Sequence, residues 1–451
     1  MGTLFGTDGV RGMANQPPMT VEIALQLGRA LSYLLKKHDP KKHHKVLIGK
    51  DTRLSGYMIE QALSAGICSM GVDVLLVGPI PTPAVAFLTR AMRADAGMVI
   101  SASHNPFQDN GIKFFDRNGF KLPDLDEKEM EELIFSNELD YHRPTAKNVG
   151  KAYRLEDARG RYIEFSKSTF PKGKTLDGLR IAVDCANGAA YKIAPRVFEE
   201  LGAAVTSLAT YPNGTNINDK CGSTFMDPLC AKVRSGSYDC GIAFDGDADR
   251  VLFVDGNGEI VNGDQIMAIC AKEMQAQGLL RSNTLVATIM SNLGFEHSLK
   301  KLGIDILRTQ VGDRYVLEEM LKHDLNLGGE QSGHVIFLDH NTSGDGLITS
   351  LKILAVMIQT GRPLAELAAF VETYPQVLIN VKVRKRKQII DVPELMQRIA
   401  DIEKELGRKG RVLVRHSGTE PKVRVMLEGE NDALIQRHAE DLANLVKRTL
   451  G

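Results

Sequence analysis

The chain reads as an α/β protein: three related α/β domains with mixed, mostly parallel sheets, then a smaller C-terminal α+β domain. Three observations predict this. A strand–helix–glycine–strand pattern recurs three times along the chain. The C-terminal stretch breaks the pattern and reads as alternating strands with two amphipathic helices. And 451 residues are too many for one hydrophobic core.

The first copy of the repeat starts at Val46-Leu47-Ile48-Gly49-Lys50-Asp51, an apolar strand running into a polar turn. A helix follows, with Ile59, Leu63 and Ile67 on one stripe, and stops at Met70-Gly71. The next strand begins at Val72. The second copy is the strand Ile181–Asp184, a helix ending at Leu201-Gly202, and a strand from Ala203. The third is the strand Leu285–Ile289, a helix carrying Phe295, Leu299 and Leu302, then Gly303 and a strand from Ile304. Each junction glycine suits a left-handed helix C-terminus. Strands joined through helices pair in parallel.

The tail differs. Val377–Val383 alternates partly, as a half-exposed strand does, and Pro393–Leu406 is an amphipathic helix. Val412–Val414 and Val423–Leu427 are strands flanking a turn, and Ala433–Leu450 closes the chain as a helix. The break falls near Tyr374-Pro375. The expected domains are 1–155, 156–256, 257–371 and 372–451.

Composition narrows the function. Lys plus Arg equals Asp plus Glu at 56 each, so the chain lacks the basic excess of a nucleic-acid or anionic-membrane binder. Its six cysteines show no C-x-x-C spacing and several sit in apolar runs, as buried thiols of a reducing compartment do. No apolar run is long enough to span a bilayer, and the first residues lack a charged and an apolar leader segment. The expectation is a cytoplasmic protein with no membrane or nucleic-acid partner.

Chemistry concentrates in five places. Ser101-Ala102-Ser103-His104-Asn105-Pro106 follows the apolar strand Ala96–Ile100, putting hydroxyl, imidazole and amide groups at a strand end, where α/β proteins place their sites. A capping role for Ser103 fits these residues equally well. Asp245-Gly246-Asp247-Ala248-Asp249-Arg250 follows the strand Gly241–Phe244. Three carboxylates at alternate positions repel one another, and a hard divalent cation is the natural remedy. A calcium loop is ruled out, because Arg250 and Gly256 stand where that loop needs glycine and glutamate. Gly328-Gly329-Glu330-Gln331-Ser332-Gly333-His334 offers a carboxylate and a hydroxyl at i and i+2, suited to neighbouring sugar hydroxyls; a polar hairpin turn fits equally. Arg415-His416-Ser417-Gly418-Thr419-Glu420-Pro421, with Arg424, combines arginine forks with free turn amides, as an anion nest does; an ordinary hairpin with surface arginines is the alternative. Finally, Phe5–Gly12 is a glycine-rich turn with one arginine, Arg11. It matches neither a Walker loop nor a dinucleotide fingerprint.

Taken in order, these motifs resemble those of the α-D-phosphohexomutases: a phosphoserine loop, a magnesium loop, a sugar-specificity loop and a phosphate-binding loop, one per domain. Phe-Gly-Thr-Asp-Gly-Val-Arg-Gly at the start, Ile-Ser-Ala-Ser-His-Asn-Pro at the serine, Val311-Gly312-Asp313-Arg314-Tyr315-Val316 and Gly-Glu-Gln-Ser-Gly-His are similar to the bacterial phosphoglucosamine mutases of that family. The resemblance implies four domains around a central cleft. It implies an isomerase, an intramolecular phosphotransferase that interconverts glucosamine 6-phosphate and glucosamine 1-phosphate through a 1,6-bisphosphate and so feeds UDP-N-acetylglucosamine and cell-wall synthesis. The phosphoglucomutases and phosphomannomutases of the same superfamily are the alternative.

Residue by residue, the resemblance makes Ser103 the phosphorylated carrier and a ligand, with Asp245, Asp247 and Asp249, of one Mg²⁺. Arg11, His104, Lys113 and His334 stabilise the phosphoryl group or move protons, and Lys113 would need a lowered pKa to act as a base. Arg250 faces the transferring group. Glu330 and Ser332 grip the sugar, while Arg415, Ser417, Gly418, Thr419 and Arg424 hold the other phosphate. Glucosamine or glucose 1,6-bisphosphate is the implied activator, a small phosphosugar the partner, and a homodimer the implied assembly.

Overall fold

Strand and helix positions follow the repeat closely. The structure, a computed structural model, describes residues 4–6, 8–40, 43–136, 138–384, 388–416 and 422–451. Two compact units emerge: Met1–Ile289 with Ile306–Ala369, and Met290–Asp305 with Phe370–Gly451.

The first unit holds three sheets. The six-stranded one runs in the order Val10–Met13, Asp109–Asp116, Ala96–Ile100, Lys45–Lys50, Asp73–Pro79, Ala152–Arg154. Its four later strands pair in parallel. Asp109–Asp116 instead runs antiparallel to both of its neighbours. A tight turn after Ile100 leaves no room for a crossover helix, so the chain must double back. The core here is a cluster that includes Leu27, Leu31, Ile48, Ile59, Leu63, Met98 and Phe114.

The second sheet has the order Ile260–Val261, Val251–Asp255, Cys240–Phe244, Arg180–Asp184, Ala204–Leu208, with the last three parallel. The third has the order Asp305–Thr309, Thr284–Thr288, Leu327–Gly329, Val335–Phe337. Its last two strands form an antiparallel hairpin. The predicted junction glycines are left-handed: Gly71, Gly202 and Gly303 have φ of 78°, 104° and 72°.

The second unit carries the antiparallel sheet Gln376–Lys382, Lys422–Gly429, Gly410–His416. The helices Pro393–Leu406 and Asp432–Leu450 supply Leu395, Ile402, Ile435, Leu442 and Val446 to its core. The first of these helices has the bounds read from the sequence. Its Pro393 sits in the first turn, where a missing N–H costs nothing.

Candidate active site

Strand ends of the first unit bring the serine and the aspartates together. Ser103 lies just past the strand Ala96–Ile100, and its Oγ donates to Asp245 Oδ2 at 2.6 Å. The two residues are 142 positions apart in sequence. Ser103 is buried and has φ +50°, a left-handed conformation that side chains disfavour. Gly246 approaches so closely that a Cβ there would lie 2.6 Å from Ser103 O and 2.8 Å from Asn218 Nδ2. Only glycine lets the aspartate loop sit against the serine loop.

Asp245, Asp247 and Asp249 are all buried and offer carboxylate oxygens within 4.8 Å of one another. Burial and the two neighbouring carboxylates push Asp245 well above the usual carboxylate range. Asp247 Oδ1 and Asp249 Oδ1 are buried without a hydrogen-bond partner among the described residues. Orphaned carboxylate oxygens are costly, and a hard cation would satisfy them. The set fits Mg²⁺, with oxygen donors only.

Lys113 already compensates part of this charge. It sits on the strand Asp109–Asp116, opposite Val99, and is buried rather than on the surface. Its Nζ lies 2.9 Å from Asp247 Oδ2, 3.3 Å from Asp249 Oδ2 and 3.5 Å from Asp8 Oδ2. Burial opposes its charge, but Asp247, Asp8 and Asp249 outweigh burial and hold its pKa well above the ordinary lysine value. That is opposite to what a lysine base requires. Lys113 is a charged donor in this state.

His104 Nδ1 lies 3.3 Å from Ser103 Oγ and 3.3 Å from Arg250 Nη1. Burial, and then the Arg250 charge, lower its pKa to about 4, so the ring is neutral at pH 7. Arg250 also donates its backbone N–H to Asp245 Oδ1 at 3.2 Å. Its pKa is raised: burial opposes the charge, but Asp249 and Asp245 outweigh it. Arg11 pairs with Asp8 through Nη2.

Glu330 and Ser332 sit in the turn of the hairpin Leu327–Gly329 and Val335–Phe337, the polar hairpin that the sequence allowed. Ser332 Oγ donates to Glu330 Oε2 at 3.2 Å, and Gly312 N–H donates to Glu330 Oε1 at 3.1 Å. His334 is buried, with Nδ1 3.7 Å from Asp249 Oδ2. Burial disfavours its charged form, but Asp249 and Asp313 outweigh this and raise its pKa. Gly344 N–H points at Nε2 from 3.1 Å, which favours the neutral ring. With Nε2 accepting, the proton belongs on Nδ1, facing Asp249.

In the second unit, Arg415 and Arg424 stand directly opposite each other on adjacent strands. Burial and the Arg424 charge lower the Arg415 pKa. Like charges in register repel, and an anion between them removes the penalty. The expected contributions of Ser417, Gly418 and Thr419 lie outside the described residues.

Sequence reasoning missed an ionic chain behind Lys113. Lys121 Nζ bridges Asp8 Oδ1 at 2.6 Å and Asp313 Oδ2 at 2.7 Å. Burial alone would raise the Asp8 pKa, but Lys113, Lys121 and Arg11 hold it well below the usual range. Also missed was Thr82, whose Oγ1 donates to Asp247 Oδ2 at 2.6 Å. Thr82 follows the strand Asp73–Pro79, so the strand-end rule that found Ser103 could have found it.

The chain matches four family profiles in order. They are phosphoglucomutase/phosphomannomutase α/β/α domain I over residues 2–140, domain II over 160–258, domain III over 262–374, and the C-terminal domain over 378–445. A buried serine on a buried acidic triad, carried on this fold, defines a phosphohexomutase. A phosphoglucosamine mutase of Citrifermentans bemidjiense is 60% identical over 451 residues, covering 100% of this chain and 99% of the relative. The chain belongs to the phosphoglucosamine mutase family. In fold it is similar to a phosphoglucomutase/phosphomannomutase family protein from Burkholderia thailandensis, with TM-score 0.81, 24% identity, and 99% and 97% of the two chains covered. It is also similar to the N-acetylphosphoglucosamine mutase of Aspergillus fumigatus, solved in complex with GlcNAc-6P and magnesium. Here the TM-score is 0.69 and the identity 17%, with 100% of this chain and 96% of that one covered.

Proposed function

We propose that this protein interconverts glucosamine 6-phosphate and glucosamine 1-phosphate, with Ser103 as the phosphoryl carrier. The observation that supports this most is the 2.6 Å contact of Ser103 Oγ with Asp245, at the edge of the buried triad. Asp245, Asp247 and Asp249, with the Ser103 phosphoryl, would hold one Mg²⁺, which when bound offsets negative charge on the transferring group.

The chain's own groups do the rest. O1 of glucosamine 6-phosphate gives up its proton and attacks the Ser103 phosphorus, the P–O bond to the serine breaks, and the proton that O1 released is made good on Ser103 Oγ. The products are the 1,6-bisphosphate and free serine. After the sugar turns over, Ser103 Oγ attacks the phosphorus on O6, and that O6 takes the proton the serine gives up. Charged Lys113 suits donation to the oxygen that leaves, and Arg250 and Arg11 suit the phosphoryl oxygens. Neutral His104, beside Ser103 Oγ, suits accepting a proton. Glu330 and Ser332 read adjacent sugar hydroxyls, which exchange places in the two orientations. Arg415 and Arg424, with Ser417, Gly418 and Thr419, hold the non-reacting phosphate. A 1,6-bisphosphate restores the phosphoserine when the intermediate escapes.

The same reading keeps four domains, at 1–155, 156–256, 257–371 and 372–451, and a cytoplasmic enzyme that supplies UDP-N-acetylglucosamine synthesis. Among the described residues no helix is long and apolar enough to cross a membrane. Turnover of glucosamine, glucose and mannose 6-phosphates under identical conditions tests the substrate. The fastest rate belongs to glucosamine 6-phosphate; a faster rate on glucose or mannose 6-phosphate overturns the assignment.

A further inference from the structure

Arg53 is the largest side chain with essentially no exposure among the described residues, and its hydrogen bonds reach backbone carbonyls and Asp51, not the side chains assigned to the reaction above. Its donors converge on one short loop. Nη2 donates to Ser103 O at 2.9 Å and Asn105 O at 2.8 Å. Nη1 donates to Asp109 O at 3.1 Å and also to Pro106 O. Nε is held by Asp51 Oδ2 at 2.9 Å. Asp51 in turn accepts from Ser101 Oγ at 2.6 Å, and Ser101 Oγ accepts the Ser103 N–H at 2.9 Å.

A second clamp closes on the same carbonyls from the sheet that carries the aspartates. Asn218 Nδ2 donates to Ser103 O at 2.9 Å and to Asn105 O at 3.1 Å. Asn218 N–H is anchored on Ala186 O at 2.9 Å, beyond the strand Arg180–Asp184. Thr52 Oγ1 adds a further tie to Asn187 O at 2.6 Å.

Those carbonyls need gathering because Ser103 is held left-handed, a conformation that side chains disfavour. A free loop would relax and swing Oγ away from Asp245. A planar guanidinium can collect four carbonyls from one point; an ammonium cannot.

We propose that Arg53 and Asn218 are positioning residues for phosphoryl transfer: together they pin the Ser103 loop against the aspartate loop, and neither contacts the sugar. This rests on Ser103 being the phosphoryl carrier. Transfer depends on sub-ångström placement, so loosening the clamp lowers kcat and spares sugar binding.

The test is steady-state kinetics on Arg53→Lys and Asn218→Ala in the full chain with Mg²⁺. Thermal unfolding and the Ser103 phosphoryl content by intact mass are measured on each. For Arg53→Lys, kcat falls roughly 10- to 100-fold with KM within about twofold. For Asn218→Ala, kcat falls about tenfold, and the variant unfolds somewhat below wild type because alanine disfavours the φ of 57° held at this position. The double variant loses less than the product of the two, because both side chains serve the same two carbonyls. If Arg53→Lys does not fold, Asn218→Ala decides. Wild-type kcat in folded Asn218→Ala, or a rise in KM that accounts for the loss, overturns the proposal. Wild-type protein that turns over without ever carrying a phosphoryl on Ser103 overturns the carrier assignment instead.

Discussion

Removing the Lys113 ammonium leaves the buried carboxylates of Asp247 and Asp249 without their nearest cation. Its Nζ is 2.9, 3.3 and 3.5 Å from Asp247, Asp249 and Asp8. At an effective dielectric constant near 20 each contact is worth about 5 kcal/mol before desolvation. Most of that is offset by the cost of burying the ammonium. Breaking a buried ionic group by deleting one partner leaves a net loss of about 3–5 kcal/mol. Lys113→Met therefore melts roughly 4–7 °C below wild type in metal-free buffer. A divalent cation can take over the lost charge, so Mg²⁺ raises the melting temperature of the variant more than that of wild type. Activity falls about 10²- to 10⁴-fold even with saturating Mg²⁺, because the proton donor is gone. Differential scanning calorimetry with and without Mg²⁺, beside steady-state assays, reads all three effects. Unchanged melting without metal, or a Mg²⁺ shift no larger than in wild type, would refute the reasoning.

Other predictions follow from the same geometry. The His104 pKa of about 4 lies below the ordinary histidine value, so the unfolded chain binds the extra proton first. Its contribution to stability is complete above pH 6.5 and is lost as pH falls toward 4; His104→Gln flattens that limb of an acid-unfolding profile. Phosphorylating Ser103, 3.3 Å away, raises this pKa, and NMR titration of the ring before and after phosphorylation reads the shift. Arg424→Met relieves repulsion with Arg415 but removes a phosphate fork, so KM for the sugar phosphate rises about 10- to 100-fold. Five of the six cysteines are buried and Cys68 is half-buried; burial pushes Cys221, Cys240 and Cys270 up to about 12. Native protein should react with thiol reagents at Cys68 first, and denatured protein at all six; rapid native labelling of Cys270 would contradict the packing.

Much of the fold was legible because it repeats. The first two strand–helix–glycine–strand copies pair their strands in parallel as expected, and Gly71, Gly202 and Gly303 marked helix ends by a conformation only glycine adopts freely. The aspartate triplet was legible because its spacing is local. The doubling back of Asp109–Asp116 was not, since nothing in its own apolar run states its direction. The burial of Lys113 followed from that. A lysine looks the same in sequence whether its strand is central or at an edge; here the strand lies between two others and Lys113 is buried. Arg53, Asn218 and the Asp8–Lys121–Asp313 chain were invisible for another reason. They act across separations of 50 to 192 residues, and a single charged or amide residue in a turn carries no period to detect.

The most direct test of the phosphoryl-carrier account is to load the protein with isotopically labelled phosphoryl on Ser103 and add glucosamine 6-phosphate in a single turnover. The account predicts that the label leaves Ser103 and appears at O1 of a glucosamine 1,6-bisphosphate, and that Ser103→Ala neither takes up label nor turns over. Full turnover by Ser103→Ala, or label released only as inorganic phosphate, would contradict it.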